Sequence, residues 1–280
     1  MTELDFSGKC EDNREDELGH LAKNLNSLST TLSSALKELQ ATNMQLKTDM
    51  EKEHELERQR IDFFSSASHE LKTPLTILKG HLTGMINSVS GYENHMFYLE
   101  RSLAVVDKME ILVKELLYIS QTGSNNILTY TDTDIAELLR VQIAGVTDLL
   151  TQKEQHLHVN IPNKILCKCV QSQMERAIQN ILVNAIRYSP SGEKINVNLS
   201  NKHDIVHCTV ENTGIHIADD ALSHLFEAFY RIDTSRNRNT GGTGLGLYIV
   251  SKIMEMHHAE YGITNTNNGV MFWFNIPTMQ

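Results

Sequence analysis

The sequence has little cysteine, no long apolar run and no excess of positive charge. Its four cysteines, Cys10, Cys167, Cys169 and Cys208, lack the Cys-x-x-Cys spacing that is typical of zinc sites. Free thiols in a reducing cytosol are the favoured interpretation, although the sequence leaves pairing among the four open. No stretch approaches the roughly 20 apolar residues that cross a bilayer, so the chain is not expected to span a membrane. The net charge of −10 disfavours nucleic acid or an anionic membrane as the main partner.

The remaining composition is that of an ordinary soluble globular protein. Hydrophobic residues make up 40% of the chain and charged residues 21%. A length of 280 residues favours about two domains.

The N-terminal part has a heptad pattern of its own. Mostly apolar positions recur at alternating spacings of three and four residues, at Leu18, Leu21, Leu25, Leu28, Leu32, Ala35, Leu39, Thr42 and Leu46. This spacing predicts a coiled coil. The residues before it, Met1 to Asn13, show no clear pattern.

The first candidate for catalysis is His69. It lies in Phe63–Leu78, where apolar residues recur at helical spacing, so it is expected on a helix surface with Glu70 beside it. A carboxylate that holds the tautomer and accepts the proton helps an imidazole attack phosphorus. Thr73, about one turn further on, would orient a water or a phosphoryl group, and Pro74 would kink the helix. Taken alone, a His-Glu pair in a chain with 13 histidines is a weak signal.

A second long helix is predicted near residues 92 to 121, after the turn signal at Ser90 and Gly91. Two such helices form a hairpin that cannot bury its apolar stripe alone. Two copies are therefore expected to pair as a four-helix bundle, with His69 facing outward, which predicts a homodimer. The segment Thr122–Asn126 then reads as a linker to a second domain.

Two further motifs supply what a phosphoryl acceptor would need. A glycine-rich loop with Gly242, Gly244 and Gly246 runs into an apolar helical pattern, and such loops let backbone N–H groups approach an anion. Upstream, a helical pattern places amides for Mg²⁺, a cation for phosphate and an aromatic ring for a base along one edge. These side chains are Asn180, Asn184, Arg187 and Tyr188. Together the motifs predict phosphoryl transfer.

From about residue 127 onward, helical patterns alternate with short β-branched runs. The clearest runs are Ile195–Leu199, Ile205–Val210 and Val270–Phe274. An α/β layer is expected here.

These motifs resemble those of a sensor histidine kinase of a two-component system. The resemblance covers roughly residues 55 to 280, through a histidine box, an asparagine box, a phenylalanine box at Leu225–Arg231 and a glycine box. Within that family the motifs are similar to those of the VanS sensors of glycopeptide resistance. The resemblance implies an all-α coiled coil and a dimeric four-helix bundle, followed by an α+β sandwich of the Bergerat (GHKL) type that binds ATP.

The resemblance also implies roles for individual residues. Asn184 matches the Mg²⁺ ligand, Asn180 lies one turn earlier, Arg187 matches a phosphate contact and Tyr188 an adenine-stacking residue. A packed surface aromatic is the alternative for Tyr188. The phosphate-binding loop is matched by Gly242, Gly244, Leu245 and Gly246.

One motif departs from the family pattern. Where the family has Asp-x-Gly-x-Gly to hold the adenine amine, this chain has Asn212-Thr213-Gly214-Ile215-His216. The Asn212 oxygen still accepts from an amino group, but it lacks the charge that strengthens the bond, so weaker nucleotide binding is expected. Gly214 is retained, and His216 adds a Cβ where a glycine takes positive φ freely.

The implied domain organisation has three parts. Residues 1–56 would hold part of the second helix of a HAMP relay and a signalling coiled coil, 57–123 the dimerisation and phosphotransfer hairpin, and 127–280 the ATP-binding domain. Asp16–Gly19 carries the HAMP resemblance, and a generic dimerising helix is the alternative. Further segments, including any membrane segment, would lie upstream, so a cytoplasmic portion of a membrane sensor is expected.

The loop Ile232–Thr240 is polar and basic, which suits a mobile lid over the ATP phosphates. Arg231, just before the loop, and Arg236 within it would reach the transferring phosphoryl group. A solvated loop without catalytic contacts is the alternative.

The implied activity is ATP-dependent autophosphorylation of His69 with Mg²⁺, followed by transfer to an aspartate of a response regulator receiver domain. That partner would be VanR-like if the VanS similarity holds. Glu70 and Thr73 match a Glu-x-x-Thr pattern used to dephosphorylate the regulator, so phosphatase activity is also predicted. A GHKL-type ATPase that transfers no phosphoryl group and a degenerate dimeric scaffold remain as alternatives.

Overall fold

The computed structural model describes residues 16–122, 129–232 and 242–278. Cys10, the expected linker from residue 123 and most of the expected lid, with Arg236, lie outside the described residues. The chain forms two compact units, whose boundary falls between Ser65 and Ser66. Among the described helices, none is both long enough and apolar enough to cross a lipid bilayer.

Helix α1 spans Glu17–Ile86, and the part of it before the unit boundary forms the first unit among the described residues. The Asp16 carboxylate accepts a hydrogen bond from the Gly19 N–H at 3.1 Å, which satisfies a donor at the helix start. The heptad leucines are exposed in the single chain, with Leu21 62% and Leu28 64% accessible. A helix with an open apolar stripe is what a coiled-coil partner would cover, so the coiled coil stays a prediction.

The second unit begins with a helical hairpin, as the sequence predicts. The last part of α1 is followed by a turn in which Gly91 has a φ of +94°, and α2 spans His95–Thr122. His81 Nδ1 and Ser102 Oγ lie 3.2 Å apart across the hairpin, so the two helices are antiparallel neighbours. Tyr92 stacks on Tyr98 near the turn.

The rest of the second unit is a layer of helices on a five-stranded sheet, with a separate pair of short strands. The strands are β1 Thr131–Asp134, β2 His156–Asn160, β3 Leu166–Cys169, β4 Lys194–Lys202, β5 Ile205–Thr213, β6 Glu260–Asn265 and β7 Gly269–Pro277. The helices are α3 Ile135–Gly145, α4 Thr147–Gln152, α5 Gln171–Tyr188, α6 Asp219–Leu222 and α7 Gly246–Met256.

The large sheet has the order β2-β4-β5-β7-β6, with β2 parallel to β4 and the other neighbours antiparallel; β1 and β3 form a separate antiparallel pair. Alternate residues such as Ile195, Val210 and Phe274 are buried on one face, while Asn198 on the other face is exposed. The α3, α5 and α7 helices supply the opposing buried side chains. The expected α+β sandwich is confirmed.

The thiols of Cys167, Cys169 and Cys208 are free and buried within this domain. Burial raises the pKa of the Cys208 thiol to about 12. The free-thiol interpretation is therefore confirmed for the described cysteines.

Candidate functional site

His69 lies on the exposed surface of α1, with Glu70 half-buried next to it. The Thr73 hydroxyl donates to the His69 carbonyl oxygen at 3.3 Å. This places Thr73 one turn from the imidazole on the same helix. The helix contains Pro74 and continues to Ile86; the kink expected at Pro74 stays a prediction.

The second part of the site is the edge of α5. The helix buries a broad apolar stripe that includes Ile178, Ile181 and Leu182. Asn180 and Asn184, at positions flanking this stripe, are half-buried. Asn180 Nδ2 is buried without a hydrogen-bond partner among the described residues. Polar groups that remain partly accessible along a packed helix are available to a ligand.

The loop before α7 runs along this edge of α5. A Cβ on Gly242 would stand 2.9 Å from Arg187 Nη1 and 3.5 Å from the Tyr188 hydroxyl, and one on Gly246 would lie 3.6 Å from Asn184 Nδ2. The loop therefore passes from the end of α5 towards its middle. The structure brings the predicted asparagine and glycine motifs together on one side of the domain.

The first turn of α7 lies at this place. The residue before it, Leu245, supplies no side-chain cap to the helix. Unsatisfied N–H groups and the helix dipole favour an anion at such a terminus. Gly244, with a φ of +75°, accepts a hydrogen bond from the Phe229 N–H at 3.0 Å, which joins the phenylalanine motif to the loop.

After the edge of α5 and the glycine loop, the third edge of this site is the end of β5. Asn212 is buried, 6% exposed, and its alternate neighbours on the strand face the helix layer. Gly214, just beyond the strand, has a φ of +82°, and its missing Cβ leaves room for the Glu193 side chain. The Ser189 hydroxyl donates to the Thr213 carbonyl oxygen at 2.8 Å, so the end of β5 is attached to the end of α5. His216 is exposed.

Two side chains that sequence reasoning missed hold the end of α5. Lys153 Nζ donates to the carbonyl oxygens of Ile186, Arg187 and Ser189 at 2.9, 2.6 and 3.0 Å. Gln155 Nε2 donates to the Ile186 and Ser189 carbonyls as well. Burial, with the nearby Arg187 guanidinium, lowers the pKa of Lys153. Helical carbonyls that would lack partners are thus satisfied from more than 30 residues away, which no local pattern reveals.

The α+β domain also contacts α2. The Arg176 guanidinium on α5 lies over the Tyr118 ring, with Cζ 3.7 Å from the centroid. One turn away, the half-buried Glu115 carboxyl lies next to the Thr243 side chain of the glycine loop, and its Oε2 atom is buried without a hydrogen-bond partner among the described residues. Burial raises the pKa of Glu115, while Thr243, Arg176 and Arg187 oppose that rise.

This contact lies at the level of His69 along the hairpin. His69 is twelve residues before His81, and Lys114 is twelve residues after Ser102, the partner of His81. Antiparallel helices with the same rise of about 1.5 Å per residue bring Lys114 and Glu115 alongside His69. The glycine loop therefore contacts the hairpin at the height of the candidate acceptor.

The arrangement fits a nucleoside triphosphate. Glycines leave room for phosphates at an uncapped helix terminus, Arg187 supplies a cation, and the Asn212 amide faces the interior. The described residues contain no cluster of three or more metal-binding side chains. A Mg²⁺ ion that takes most of its ligands from phosphates and water, with one amide oxygen from Asn184, fits this donor set.

Two family models match the chain. The one described as "His Kinase A (phospho-acceptor) domain" matches residues 59–125, and the one described as "Histidine kinase-, DNA gyrase B-, and HSP90-like ATPase" matches residues 169–280. The first range contains His69, and the second contains the asparagine and glycine motifs.

Among similar proteins is the sensor protein VanSB of Enterococcus faecalis, 31% identical over 265 residues, which cover 94% of this chain and 58% of that protein. The sensor protein VanSC of Enterococcus gallinarum is 29% identical over 254 residues, 88% of this chain and 70% of that protein. The chain thus spans 58% of the length of VanSB.

Solved histidine kinases have the same fold. Acinetobacter baumannii AdeS matches with a TM-score of 0.63 at 24% identity, over 76% of this chain and 98% of that one. ThkA, solved in complex with the response regulator TrrA, matches with a TM-score of 0.65 at 20% identity, over 78% of this chain and 61% of that one.

Proposed function

Because the chain belongs to the two-component sensor histidine kinases, we propose that it phosphorylates its own His69 from ATP and passes the phosphoryl group to an aspartate of a response regulator. The observation that carries this proposal is the contact between Thr243 and Glu115, which lies at the level of His69. An exposed imidazole and a triphosphate site thereby belong to neighbouring surfaces.

In the proposed first step, one ring nitrogen of His69 attacks the terminal phosphorus of ATP. An N–P bond forms, the bond between that phosphorus and the bridging oxygen of ADP breaks, and ADP leaves with the electron pair. Glu70 holds the proton on the other ring nitrogen and accepts it as the imidazole becomes positively charged. In the second step an aspartate oxygen of the regulator attacks the same phosphorus and the N–P bond breaks. Glu70 returns its proton to the ring, so that His69 leaves as neutral imidazole.

We assign the nucleotide contacts to the residues that line the three edges of the site. Asn212 and Gly214 would hold the base, with Tyr188 stacked on it, and Arg187 and Asn180 would lie beside the phosphates. The backbone of Gly242, Gly244, Leu245 and Gly246 would surround those phosphates. Asn184 would hold Mg²⁺, which would neutralise part of the phosphate charge.

We propose a homodimer built through the hairpin. Leu75, Leu82, Leu103 and Leu117 are between 42% and 62% exposed in the single chain, an apolar surface that a second copy would bury. Sedimentation would then report a dimer. Leu103→Glu should give monomers, while Lys108→Glu on the same exposed helix should not.

The proposed organisation keeps a partial HAMP helix and coiled coil at 1–56, the phosphotransfer hairpin at 57–123 and the ATP-binding domain at 127–280. The family matches at 59–125 and 169–280 support the last two. We further propose that the chain is the cytoplasmic portion of a membrane sensor, as the length of VanSB suggests. Its regulator would be VanR-like, and the output would be control of glycopeptide-resistance genes.

We also propose phosphatase activity towards the regulator. Thr73 lies one turn after His69, where its hydroxyl can orient a water against a regulator docked on the hairpin.

The phosphotransfer half of the proposal is tested by a chase experiment. The chain is labelled with γ-labelled ATP, freed of nucleotide and mixed with a purified receiver domain or with the same domain carrying Asn for its acceptor Asp. Label should move to the first receiver within minutes and stay on the kinase with the second. Label that never leaves the kinase with either receiver domain would contradict the transfer.

A further inference from the structure

Asn212 is an unusual group to find buried at the end of β5. Its side chain is 6% exposed, and its Nδ2 atom is buried without a hydrogen-bond partner among the described residues. An amide nitrogen that gives up water without a new acceptor destabilises the fold, so such atoms commonly serve a ligand. The unpartnered atom here is a donor.

The backbone of Asn212 is fixed by its position in the sheet. Asn212 pairs with Ile195 on one side and Val270 on the other, in the middle of the sheet. A Cβ on Gly269 would come closer than van der Waals contact to the Asn212 carbonyl oxygen, so the strands are packed without slack. The amide is therefore held towards the helix layer.

That direction leads to the nucleotide site. The next residue, Thr213, accepts a hydrogen bond from Ser189, which directly follows Tyr188 at the end of α5. Tyr188 is 48% exposed, and its hydroxyl lies near Gly242 of the glycine loop. The end of β5 that carries Asn212 is thus attached to the end of α5 that carries Tyr188, where we have placed the base.

An amide and a carboxylate read the 6-position of a purine differently. A carboxylate only accepts hydrogen bonds, so it takes the 6-amino group of adenine and repels the 6-oxygen of hypoxanthine or guanine. An amide carries one acceptor and one donor group. With Oδ1 towards the amino group and Nδ2 towards N1 it fits adenine, and after a half-turn it fits the 6-oxygen and the N1–H of a 6-oxopurine.

We propose that Asn212 makes the pocket permissive at the purine 6-position, so that the chain binds 6-oxopurine nucleotides with an affinity close to that for adenine nucleotides. This inference rests on the proposed nucleotide site and names its base selectivity. A site that contains a carboxylate rejects the 6-oxopurine because it would leave buried charge facing an oxygen.

The test is calorimetric titration of ADP and IDP into the chain and into Asn212→Asp. IDP is the probe because hypoxanthine lacks the 2-amino group of guanine and differs from adenine only at positions 6 and 1. In the parent chain the two dissociation constants should agree within about tenfold. Asn212→Asp should bind ADP more tightly and IDP more weakly. The ratio of the IDP to the ADP dissociation constant should therefore rise by at least about tenfold. Asn198→Asp, an exposed change on the other face of the sheet, should leave the ratio unchanged.

The outcomes distinguish a failure of this inference from a failure of the proposed function on which it rests. If ADP binds and the parent chain rejects IDP by more than about a hundredfold, the role of Asn212 is wrong while the nucleotide site stands. An equal ratio in the parent and in a folded Asn212→Asp leads to the same conclusion. If neither nucleotide binds, the proposed function itself fails. If Asn212→Asp does not fold, the proposal is tested by the ratio of the IDP to the ADP dissociation constant in the parent chain and by the change of that ratio in Asn212→Ser.

Discussion

The Phe229 N–H donates to the Gly244 carbonyl oxygen at 3.0 Å, and both residues have positive φ, +66° and +75°. A Cβ on Gly244 would stand 2.8 Å from the Phe229 carbonyl carbon and Cα. The two ends of the segment that separates the phenylalanine motif from the glycine motif are therefore joined, backbone to backbone. The shape of the loop before α7 depends on this contact.

Gly244→Ala should damage this loop. The methyl group meets fixed backbone and the residue must keep a positive φ, so the free energy of unfolding should fall by about 1–3 kcal/mol. ADP binding should weaken as well, because the N–H groups before α7 would move. Thermal unfolding and calorimetry measure both. The control is Gly145→Ala at the end of α3, where a Cβ meets no atom within 4 Å; equal effects of the two changes would contradict this account.

Lys153→Met should loosen the end of α5. The change keeps the length of the side chain and removes three hydrogen bonds from a charged donor to carbonyls at and just after the end of α5. The expected loss is about 2 kcal/mol. Nucleotide binding should fall with it, because Arg187 and Tyr188 lie in that last turn. Lys168→Met, on an exposed position of β3, should change neither quantity. A stable Lys153→Met protein with unchanged ADP affinity would show that the three bonds are unimportant.

His257 should make the stability of the α+β domain depend on pH. Val170 N–H donates to its Nε2 at 3.0 Å and its Nδ1 bonds to the Ile253 carbonyl at 2.7 Å, so the fold holds the neutral ring. Burial, assisted by His258, lowers its pKa from 6.5 despite the bond to Ile253. Above pH 6.5 the ring is neutral in both states and the stability is fully present; as pH falls below 6.5 the unfolded chain binds the proton first and stability is lost.

The measurement is the melting temperature of the parent chain and of His257→Gln between pH 7.5 and 5.5. The parent should lose more stability over this interval than the variant, which starts lower because it cannot keep both hydrogen bonds. Parallel curves would mean that another group causes the pH dependence.

Thr73→Ala should separate two activities. Dephosphorylation of the regulator should fall at least about tenfold, because a water would lose its orienting hydroxyl, while labelling of His69 stays near the parent rate. Thr76→Ala is the matched control: its hydroxyl also bonds back to a carbonyl four residues earlier, Lys72 O at 2.9 Å. If both variants dephosphorylate the regulator normally, Thr73 has no such role.

Local patterns in the sequence predicted much of the fold and of the candidate site. Helical spacing predicted α2 and the α5 edge with Asn180 and Asn184, since residues three and four apart share a helix face. Short β-branched runs predicted strands β4, β5 and β7. Both kinds of signal come from neighbours along the chain.

The features that the sequence did not predict come from distant residues. Lys153 reaches α5 across more than 30 positions, Val170 reaches His257 across 87, and Arg176 contacts Tyr118 on another helix. The pair β1-β3 and the left-handed backbone of Phe229 have no local pattern either. Such contacts exist only once the layers have packed.

The central claim, that this chain phosphorylates its own histidine, is tested most directly by incubation with γ-labelled ATP and Mg²⁺. We compare the parent chain with His69→Gln and with His54→Gln, another exposed histidine of the same helix. The account predicts a label that is lost in acid and stable in base, present in the parent and in His54→Gln and absent from His69→Gln. A label that survives in His69→Gln, or no label on a parent chain that binds ADP, would contradict it.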